Sequence, residues 1–243
     1  MFSGKIEDYI LFEDKEIIVC RKPAGIAVQN ARIGAMDLES SLKNYLAMQD
    51  GGGRRIPYLA VIHRLDQPVE GILVFGKTPE AAKSLSGQIT AGKMEKIYLA
   101  VTYGKQAEAG KKEKVLEDYL KKDGKSNTSS VVNAHTPGAK KARLSYEVLG
   151  EAVDAISGKK KWLLRIHLDT GRHHQIRVQM AHAGMPLAGD RKYGAGTNVT
   201  IGAGSLALCA ASLTFFHPVT GKVMKFVTKP EGTEFKGISI PQM

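Results

Sequence analysis

Cysteine is scarce in this chain of 243 residues, which contains only Cys20 and Cys209. The two are not part of a CxxC pair, so the sequence argues against a disulfide framework and against a cysteine zinc site. Such sparing cysteine use is typical of a reducing compartment, and we predict a cytoplasmic location. Charged residues also interrupt the first twenty positions, which argues against a secretory signal peptide.

Long hydrophobic runs are lacking as well. The one long stretch without charge, 194–219, contains Asn198, His217, several Ser and Thr residues and internal glycines. That composition is unlike a membrane-spanning helix. We therefore expect no membrane association, and we interpret this stretch as a loop followed by a strand.

Acidic residues are outnumbered by basic ones. Lys and Arg total 35 against 24 Asp and Glu, which gives a formal charge of +11. This excess favours a polyanionic partner such as nucleic acid, although charge alone does not establish specific binding. The 43% apolar content is enough to build a substantial core, so the sequence predicts a folded domain.

Short apolar segments rich in β-branched residues alternate with Gly and Pro, a pattern that predicts strands. The predicted strands are 16–20, 72–75, 97–101, 144–149, 162–168 and 205–216. Two helices are also predicted. One follows the N-cap Thr78, with Pro79 at its first position; the other covers 175–183 and ends at Gly184. These elements predict a mixed α and β domain.

The segment 104–143 has a different texture, with many lysines, several small polar residues and little periodicity. We predict surface loops there, which form either a solvated insertion or an arm that holds phosphates through charge. No repeat or linker stands out elsewhere. We therefore expect a single domain over residues 1–243.

The stretch "HRLDQPVEG" places Asp66 in a turn-rich segment just before an apolar strand. Gln67 and Pro68 favour a loop from which side chains project. An aspartate in a loop is usually a turn residue that accepts backbone hydrogen bonds. A catalytic role for Asp66 therefore needs support from other parts of the chain.

A second group of polar residues lies in "TGRHHQIRVQ". Arg172, His173, His174 and Arg177 gather around the predicted start of a helix, where the helix dipole favours an anion. The anion is either an RNA phosphate or the carboxylate of Asp66, kept ionised by a nearby guanidinium.

Other chemistries find little support in the sequence. His174 and His182 are eight residues apart, too far for a one-turn pair of zinc ligands, and no glutamate lies between them. The chain has no GxSxG motif, and the "GAG" near Gly202 lacks the spacing of a dinucleotide-binding or phosphate-binding loop. We expect neither a metal nor a cofactor.

Five separated segments carry a family resemblance when taken in order. They are "YILFEDKEIIVCRKPAGIAVQ", "HRLDQPVEGILVFGKT", "EKIYLAV", "TGRHHQIRVQMAHAGMPLAGDRKYG" and "LALCAASLTFFHPVTGK". Together they resemble the motifs of RluA-type RNA pseudouridine synthases. The resemblance implies an α+β fold: a mixed, largely antiparallel central β-sheet flanked by helices, with the active site in a cleft across it.

The chain also departs from the family pattern. Val69, Glu70 and Gly71 replace a common Thr-Ser-Gly, and Cys209 stands where a histidine is common. These changes leave the implied chemistry intact but put the target preference in doubt. Many relatives carry a small N-terminal RNA-binding domain, and we expect none here.

The resemblance also implies roles for individual residues. Asp66 is the implied catalytic carboxylate, Arg177 the cation that keeps it ionised, and Tyr98 the ring beneath the uracil. Arg64 is implied to manage the space left when the target base is flipped out of the RNA. The remaining candidates for RNA binding, mainly through phosphates, are His63, Lys22, Lys77, Arg172, His174, Gln175 and Lys192.

Three functions of different classes remain to be compared. The implied one is cofactor-independent isomerisation of uridine in structured RNA, ribosomal or transfer, by a monomer. The second is a noncatalytic RNA-binding or ribosome-assembly protein. The third, a hydrolase of glycosidic bonds, is disfavoured because such enzymes usually need two opposed carboxylates. Glu70 and Asp190 are the only candidates by motif, and we expect Asp190 to shape the "GDRKYG" turn.

Overall fold

The computed structural model describes residues 3–30, 36–51, 56–103, 113–154, 158–194 and 205–242. The chain folds into two compact units. The first comprises Met1–Glu95 and Ala210–Thr228, and the second comprises Lys96–Cys209 and Lys229–Met243. The single domain expected from the sequence stays a prediction.

The described residues form eleven strands and three α-helices, together with two short 3₁₀ turns at Ile6–Tyr9 and Thr233–Phe235. The strands are β1 (Ile10–Glu13), β2 (Ile17–Lys22), β3 (Ala60–Val61), β4 (Glu70–Gly76), β5 (Glu95–Thr102), β6 (Lys114–Asp123), β7 (Thr128–Val132), β8 (Lys140–Val153), β9 (Lys160–Leu168), β10 (Leu208–Phe216) and β11 (Val223–Val227). The helices are α1 (Leu38–Gln49), α2 (Pro79–Thr90) and α3 (Gln175–His182).

The first unit is built around strand β4. Strand β2 pairs antiparallel with both β1 and β4, β10 lies on the other side of β4, and β11 pairs with β10. Helix α2 covers this sheet because Ala81 and Leu85 pack onto apolar side chains of β2, β4 and β10. The burial of all seven residues of β4 explains its continuous apolar sequence.

The second unit is a sheet in the order β5-β9-β8-β6-β7, in which every neighbouring pair is antiparallel. Helix α3 packs on one face of it through Val178, which contacts Leu120 of β6 and Ala142 of β8. The start of α3, which carries the "TGRHHQ" motif, is thereby fixed beside the β6–β7 hairpin.

Most predicted elements are confirmed, with ends that differ by a few residues. Thr78 accepts a hydrogen bond from the backbone of Ala81 and has Pro79 at the first helical position, so the predicted start of α2 is correct. The predicted loop character of 104–143 is wrong for most of the described part, since β6, β7 and the start of β8 lie there, and it is correct for the turn at 133–139. Residues 104–112 lie outside the described residues. Helix α1 was not predicted.

The α+β class predicted from the sequence is confirmed, with helices packed on mostly antiparallel strands. In the described part of the chain, none of the helices has the length and apolar character needed to cross a membrane.

Candidate functional site

Asp66 lies in the loop that joins β3 to β4. The carbonyl of Asp66 accepts a hydrogen bond from the amide of Val69 at 3.0 Å, which closes a tight turn around Gln67 and Pro68. Leu65 and Val69 are buried on either side of the turn, whereas Asp66 is half-buried. The two apolar side chains anchor the loop and leave the carboxylate at the edge of the core.

The "KPAG" turn after β2 braces this loop. Gln67 forms two hydrogen bonds with the backbone of Gly25, one through its carbonyl at 2.8 Å and one through its side-chain amide at 3.0 Å. The ammonium of Lys22 donates to the carbonyls of Pro23, Ile26 and Gln67 at 2.8–3.1 Å. Two segments that are 45 residues apart in sequence therefore hold the Asp66 turn in one position.

Lys22 is fully buried, at 0% exposure. Burial lowers the pKa of Lys22 to about 8, although the negative charges of Asp66 and Glu70 act in the opposite direction. Since its ammonium proton donors point at three carbonyls, the predicted contact between Lys22 and an RNA phosphate does not fit the structure. The attraction between the Lys22 ammonium and Asp66 also favours the ionised form of the carboxylate.

Lys77 is engaged in a similar way at the end of β4. Its ammonium contacts Glu13 Oε1 and the carbonyl of Asp14, both at 2.6 Å, and its side chain is 18% exposed. This half-buried ion pair ties β4 to the β1–β2 hairpin. The predicted phosphate contact of Lys77 therefore finds no support in its surroundings.

His63 and Arg64 precede Asp66 and differ in exposure. The backbone amide of Val74 lies 3.4 Å from His63 Nε2, so the half-buried imidazole faces β4. Arg64 is exposed, and no hydrogen bond or ion pair joins its side chain to the described residues. An exposed guanidinium two residues before Asp66 is open to a ligand.

Tyr98 lies in the middle of β5, opposite Ile166 of β9, and is 6% exposed. A ring buried within a paired strand has few accessible rotamers and is held rigidly. Lys96, two residues earlier, projects from the same face of the strand. Its pKa is lowered by burial.

Arg177 of α3 forms a bidentate ion pair with Asp190. Nε contacts Oδ2 at 2.8 Å and Nη2 contacts Oδ1 at 2.7 Å, and the two side chains are only 5% and 1% exposed. Burial alone raises the pKa of Asp190, but the Arg177 guanidinium and the amides of Lys192 and Tyr193 bring it below its ordinary value. The same two amide bonds confirm that Asp190 shapes the "GDRKYG" turn.

Tyr193 connects this ion pair to its surroundings, and the sequence predicted no role for it. Its ring lies 5.1 Å from the guanidinium carbon of Arg177. Its hydroxyl accepts a hydrogen bond from the amide of Ser129 at 2.8 Å and lies 2.7 Å from His174 Nδ1. The signal was present in the sequence as the tyrosine of "GDRKYG", but its contacts depend on the hairpin.

His174 is the N-cap of α3 and adopts a left-handed conformation, with φ 53° and ψ 26°. It is 8% exposed and stacks on His173 at 3.8 Å between ring centroids. Burial, together with the positive charge of Arg177, lowers the pKa of His174 to about 3. His174 is therefore neutral at physiological pH, and the predicted role as a cationic phosphate contact does not fit.

Gln175 and Arg172 differ in their exposure to solvent. Gln175 is 3% exposed and its amide group makes four hydrogen bonds, to Thr170, Arg172, Arg143 and Gln179. It organises the turn before α3, so an additional bond to RNA does not fit its buried position. Arg172 is exposed, with its Nε bonded to the carbonyl of Lys141 at 2.8 Å, and remains suited to binding phosphate.

The predicted site residues are distributed over both units. Arg172, His174, Gln175 and Arg177 are brought together at the start of α3, as the sequence suggested. Asp66 belongs to the first unit, whereas Tyr98 and Arg177 belong to the second, and the pairing of Asp66 with Arg177 stays a prediction. Within the described ranges, no three His, Cys, Asp or Glu side chains form a group suited to a metal ion.

The comparisons with known proteins agree with one another. A family model described as RNA pseudouridylate synthase matches residues 16–182. A protein of Xanthomonas campestris pv. campestris named ribosomal large subunit pseudouridine synthase D is 30% identical over 89% of this chain and 64% of its own length. A protein of the same name from Pseudomonas aeruginosa is 32% identical over 91% of this chain and 68% of its own length.

Solved structures show the same fold. Human RNA pseudouridylate synthase domain containing 4 superposes with a TM-score of 0.73, at 21% identity, over 93% of this chain and 90% of that chain. Human RNA pseudouridylate synthase domain containing 1 gives a TM-score of 0.71, at 19% identity, over 95% and 86% of the two chains. This chain spans 64% of the length of the first curated relatives.

Proposed function

Because this chain belongs to the RNA pseudouridylate synthase family, we propose that it isomerises uridine to pseudouridine in RNA, with Asp66 as the catalytic carboxylate. The observation that carries the proposal is the family match over residues 16–182. That range contains Asp66, Tyr98 and Arg177, and it also contains the "KPAG" turn that braces the Asp66 loop.

The reaction needs neither an oxidant nor a reductant. The bond between N1 of uracil and C1′ of ribose breaks, the base turns, and a bond forms between C5 and C1′. The proton on C5 is lost and N1 gains a proton, so the atoms and charges balance. A single carboxylate can assist by attacking the sugar at C1′ or by removing the proton at C2′.

Either role requires a carboxylate that is ionised and held in a fixed position. The surroundings of Asp66 meet both requirements. The turn that carries it is held by Gly25 and Gln67. The buried ammonium of Lys22 supplies a positive charge whose interaction with Asp66 is favourable. This arrangement maintains a reactive carboxylate at a partly buried position, where an unpaired charge is costly.

We assign supporting roles to Tyr98 and Arg177, which both lie in the second unit. The rigid ring of Tyr98 is suited to stacking against uracil and to assisting loss of the C5 proton. Asp190 fixes the plane of the Arg177 guanidinium through two hydrogen bonds. The guanidinium is therefore oriented before the substrate binds. We propose that Arg177 acts on Asp66 through its charge.

Arg64 is the residue that we assign to base flipping. A uridine stacked in an RNA helix does not reach a carboxylate on the protein surface, so the nucleotide has to turn outward. Arg64 is exposed and close in sequence to Asp66. Its planar guanidinium can stack in the space that the base leaves and can contact the neighbouring phosphates.

We propose ribosomal RNA of the large subunit as the substrate class. Support comes from the curated relatives, which are named ribosomal large subunit pseudouridine synthase D. The positive net charge of +11 fits a polyanionic substrate.

The test compares the wild type with Asp66→Asn on RNA that carries tritium at C5 of uridine. Formation of pseudouridine releases this tritium to water, so the release measures turnover directly. We expect Asp66→Asn to reduce turnover to background while RNA binding, measured by filter retention, stays within twofold of the wild type. Asp50→Asn, which removes an exposed carboxylate at the end of α1, serves as the matched control and is expected to react at the wild-type rate.

Two results contradict the proposal. Turnover by Asp66→Asn at the wild-type rate would exclude Asp66 as the catalytic group. Absence of tritium release by the wild type on large-subunit and transfer RNA, despite tight binding, would favour a noncatalytic RNA-binding protein.

A further inference from the structure

The tip of the β6–β7 hairpin carries exposed lysines that make no ion pair with any residue in the described ranges. They are Lys121, Lys122 and Lys125. Lys141 on the neighbouring strand β8, by contrast, is paired with Glu117 at 2.8 Å. The carboxylate of Asp123, at the tip itself, accepts hydrogen bonds from the backbone of Lys125 and from Ser126.

The register of the sheet shows that this tip extends beyond the neighbouring strand. Pairing between β6 and β8 ends at Leu120 opposite Lys140. Pairing between β6 and β7 continues to Asp123 opposite Thr128. Among the described residues only two strands therefore form the tip, and the edge of β6 beyond Leu120 has no neighbouring strand.

A two-stranded hairpin alone is marginally stable in water, and specific contacts hold this one in place. Ser129 of β7 donates its amide proton to the hydroxyl of Tyr193 and lies 2.8 Å from His173 Nδ1 through its own hydroxyl. Asn127, in the left-handed conformation at the turn, contacts His173 Nε2 at 3.1 Å through its side chain. The lysines are thus displayed on a preformed support, which lowers the entropy lost on binding.

Two further hydrogen bonds connect the hairpin region to basic residues around α3. The ammonium of Lys192 donates to the carbonyl of Asn127 at 2.8 Å. The guanidinium of Arg172 binds the carbonyl of Lys141 on the adjacent strand β8. Within the second unit, the hairpin and the start of α3 therefore form one basic surface.

We propose that the β6–β7 tip, through Lys121, Lys122 and Lys125, binds phosphates of the substrate RNA away from the target uridine. This inference rests on the proposed function for the identity of the partner. Exposed ammonium groups with no carboxylate partner attract phosphates without reading sequence. The tip holds a long RNA in position and takes no part in the reaction of the target uridine.

The experiment uses the whole chain with the three lysines replaced by glutamine. The matched control replaces Lys83, Lys222 and Lys225, which are equally exposed, lie in the first unit and change the net charge by the same amount. Affinity for an in vitro transcript of large-subunit ribosomal RNA is measured between 50 and 200 mM KCl. Turnover is measured by tritium release, and thermal melting checks the fold.

We expect the hairpin variant to show a smaller dependence of log K on log salt, by about 2, since each lost phosphate contact on single-stranded nucleic acid removes about 0.7. Its KM rises, while kcat at saturating RNA stays at the wild-type value. The control variant is expected to retain the wild-type salt dependence and KM.

An unchanged salt dependence and KM in the hairpin variant would overturn the inference. Equal changes in both variants would also overturn it, because the effect would then follow net charge and not position. If the wild type forms no pseudouridine but the hairpin variant alone loses salt dependence, the proposed function fails and the RNA contact is supported.

Discussion

At the scale of single residues, the most constrained charge pair is Arg177 with Asp190. Both side chains are almost completely buried, and two nitrogens of Arg177 donate hydrogen bonds to the two carboxylate oxygens of Asp190. Removing one member of such a pair leaves an uncompensated charge in the interior, which is more costly than the pair itself. The contact therefore acts mainly to fix the orientation of Arg177.

We predict that Asp190→Asn lowers the free energy of unfolding by about 3 kcal/mol, because it leaves the buried guanidinium without a counter-charge. Urea denaturation at pH 7 measures this loss. Glu151→Gln, which breaks an exposed ion pair with Lys160 at 3.2 Å, serves as the control and is expected to match the wild type. Equal stability of the two variants would show that Arg177 does not depend on Asp190.

His174 makes stability depend on pH. Its pKa falls from 6.5 to about 3 on folding, mainly through burial. Between these values the unfolded chain binds more protons than the folded one, so stability falls as the pH decreases from 6.5 towards 3. The expected slope is about 1.4 kcal/mol per pH unit.

We predict that the wild type loses about 2 kcal/mol more stability than His174→Asn when the pH is lowered from 7 to 5. Asparagine tolerates the left-handed conformation of this N-cap and its side-chain amide can form a hydrogen bond with the Tyr193 hydroxyl, so it preserves the local structure without titrating. Urea denaturation at the two pH values measures the difference. Parallel losses in both proteins would mean that another group titrates.

At the scale of secondary structure, the sequence predicted elements whose signals are local. The start of α2 is determined by Thr78 and Pro79, which act within one turn. The end of α3 is determined by Gly184, which has a φ of 78°. Both signals can be recognised without knowledge of the surrounding fold.

Helix α1 and the β6–β7 hairpin were missed for different reasons. Helix α1 does carry a local signal, the N-cap Asp37 followed by apolar Leu38, Leu42 and Leu46 at four-residue spacing. Strand β6 has no such signal, because the face towards α3 includes Asp118, which binds Gln179 and thus replaces an apolar residue. Its polarity reflects a partner that lies 61 residues away in sequence.

The pairing of β4 with β10 depends on one glycine. Gly71 has a φ of 131°, and an added Cβ atom would lie 2.4 Å from the carbonyl oxygen of Ala210 and 2.5 Å from its nitrogen. Neither backbone atom can move without breaking the contact between the two strands. This requirement accounts for Gly71 in "VEG", and it fixes the strand that follows the Asp66 loop.

We predict that Gly71→Ala destabilises the protein by at least about 2 kcal/mol, from both the clash and the unfavourable φ. Gly87→Ala in α2 is the matched control, since an added Cβ meets no atom within 4 Å. The control is expected to stabilise the helix by about 0.5–1 kcal/mol. Thermal and urea denaturation of both variants measure the difference, and a harmless Gly71→Ala would contradict the close approach of the strands.

At the scale of the whole molecule, composition indicated the kind of partner and motifs indicated the family. What the sequence could not reveal is which basic residues are available to RNA. In the sequence, Lys22 and Lys77 cannot be distinguished from Lys121 and Lys122. In the structure, the ammonium groups of Lys22 and Lys77 donate hydrogen bonds to carbonyls and a carboxylate of the protein itself. Only the three-dimensional structure separates cations that hold the protein together from cations that remain for a ligand.

The net charge of +11 has a consequence for selectivity. Attraction between a basic protein and phosphates does not depend on RNA sequence, and salt weakens it for every RNA. Recognition of a particular fold or loop depends on shape and on contacts to bases, which salt affects much less. Low salt therefore hides selectivity, because any RNA binds.

We predict that large-subunit ribosomal RNA and transfer RNA transcripts both bind at least tenfold more weakly at 200 mM than at 50 mM KCl. Pseudouridine formation at 200 mM is expected on the ribosomal transcript alone, since only that RNA adds specific contacts to the weakened electrostatic attraction. Tritium release from the two transcripts, compared at the same RNA concentration below saturation, measures this preference. Equal turnover of transfer RNA at 200 mM would show that the substrate class is wrong even though the isomerase activity is right.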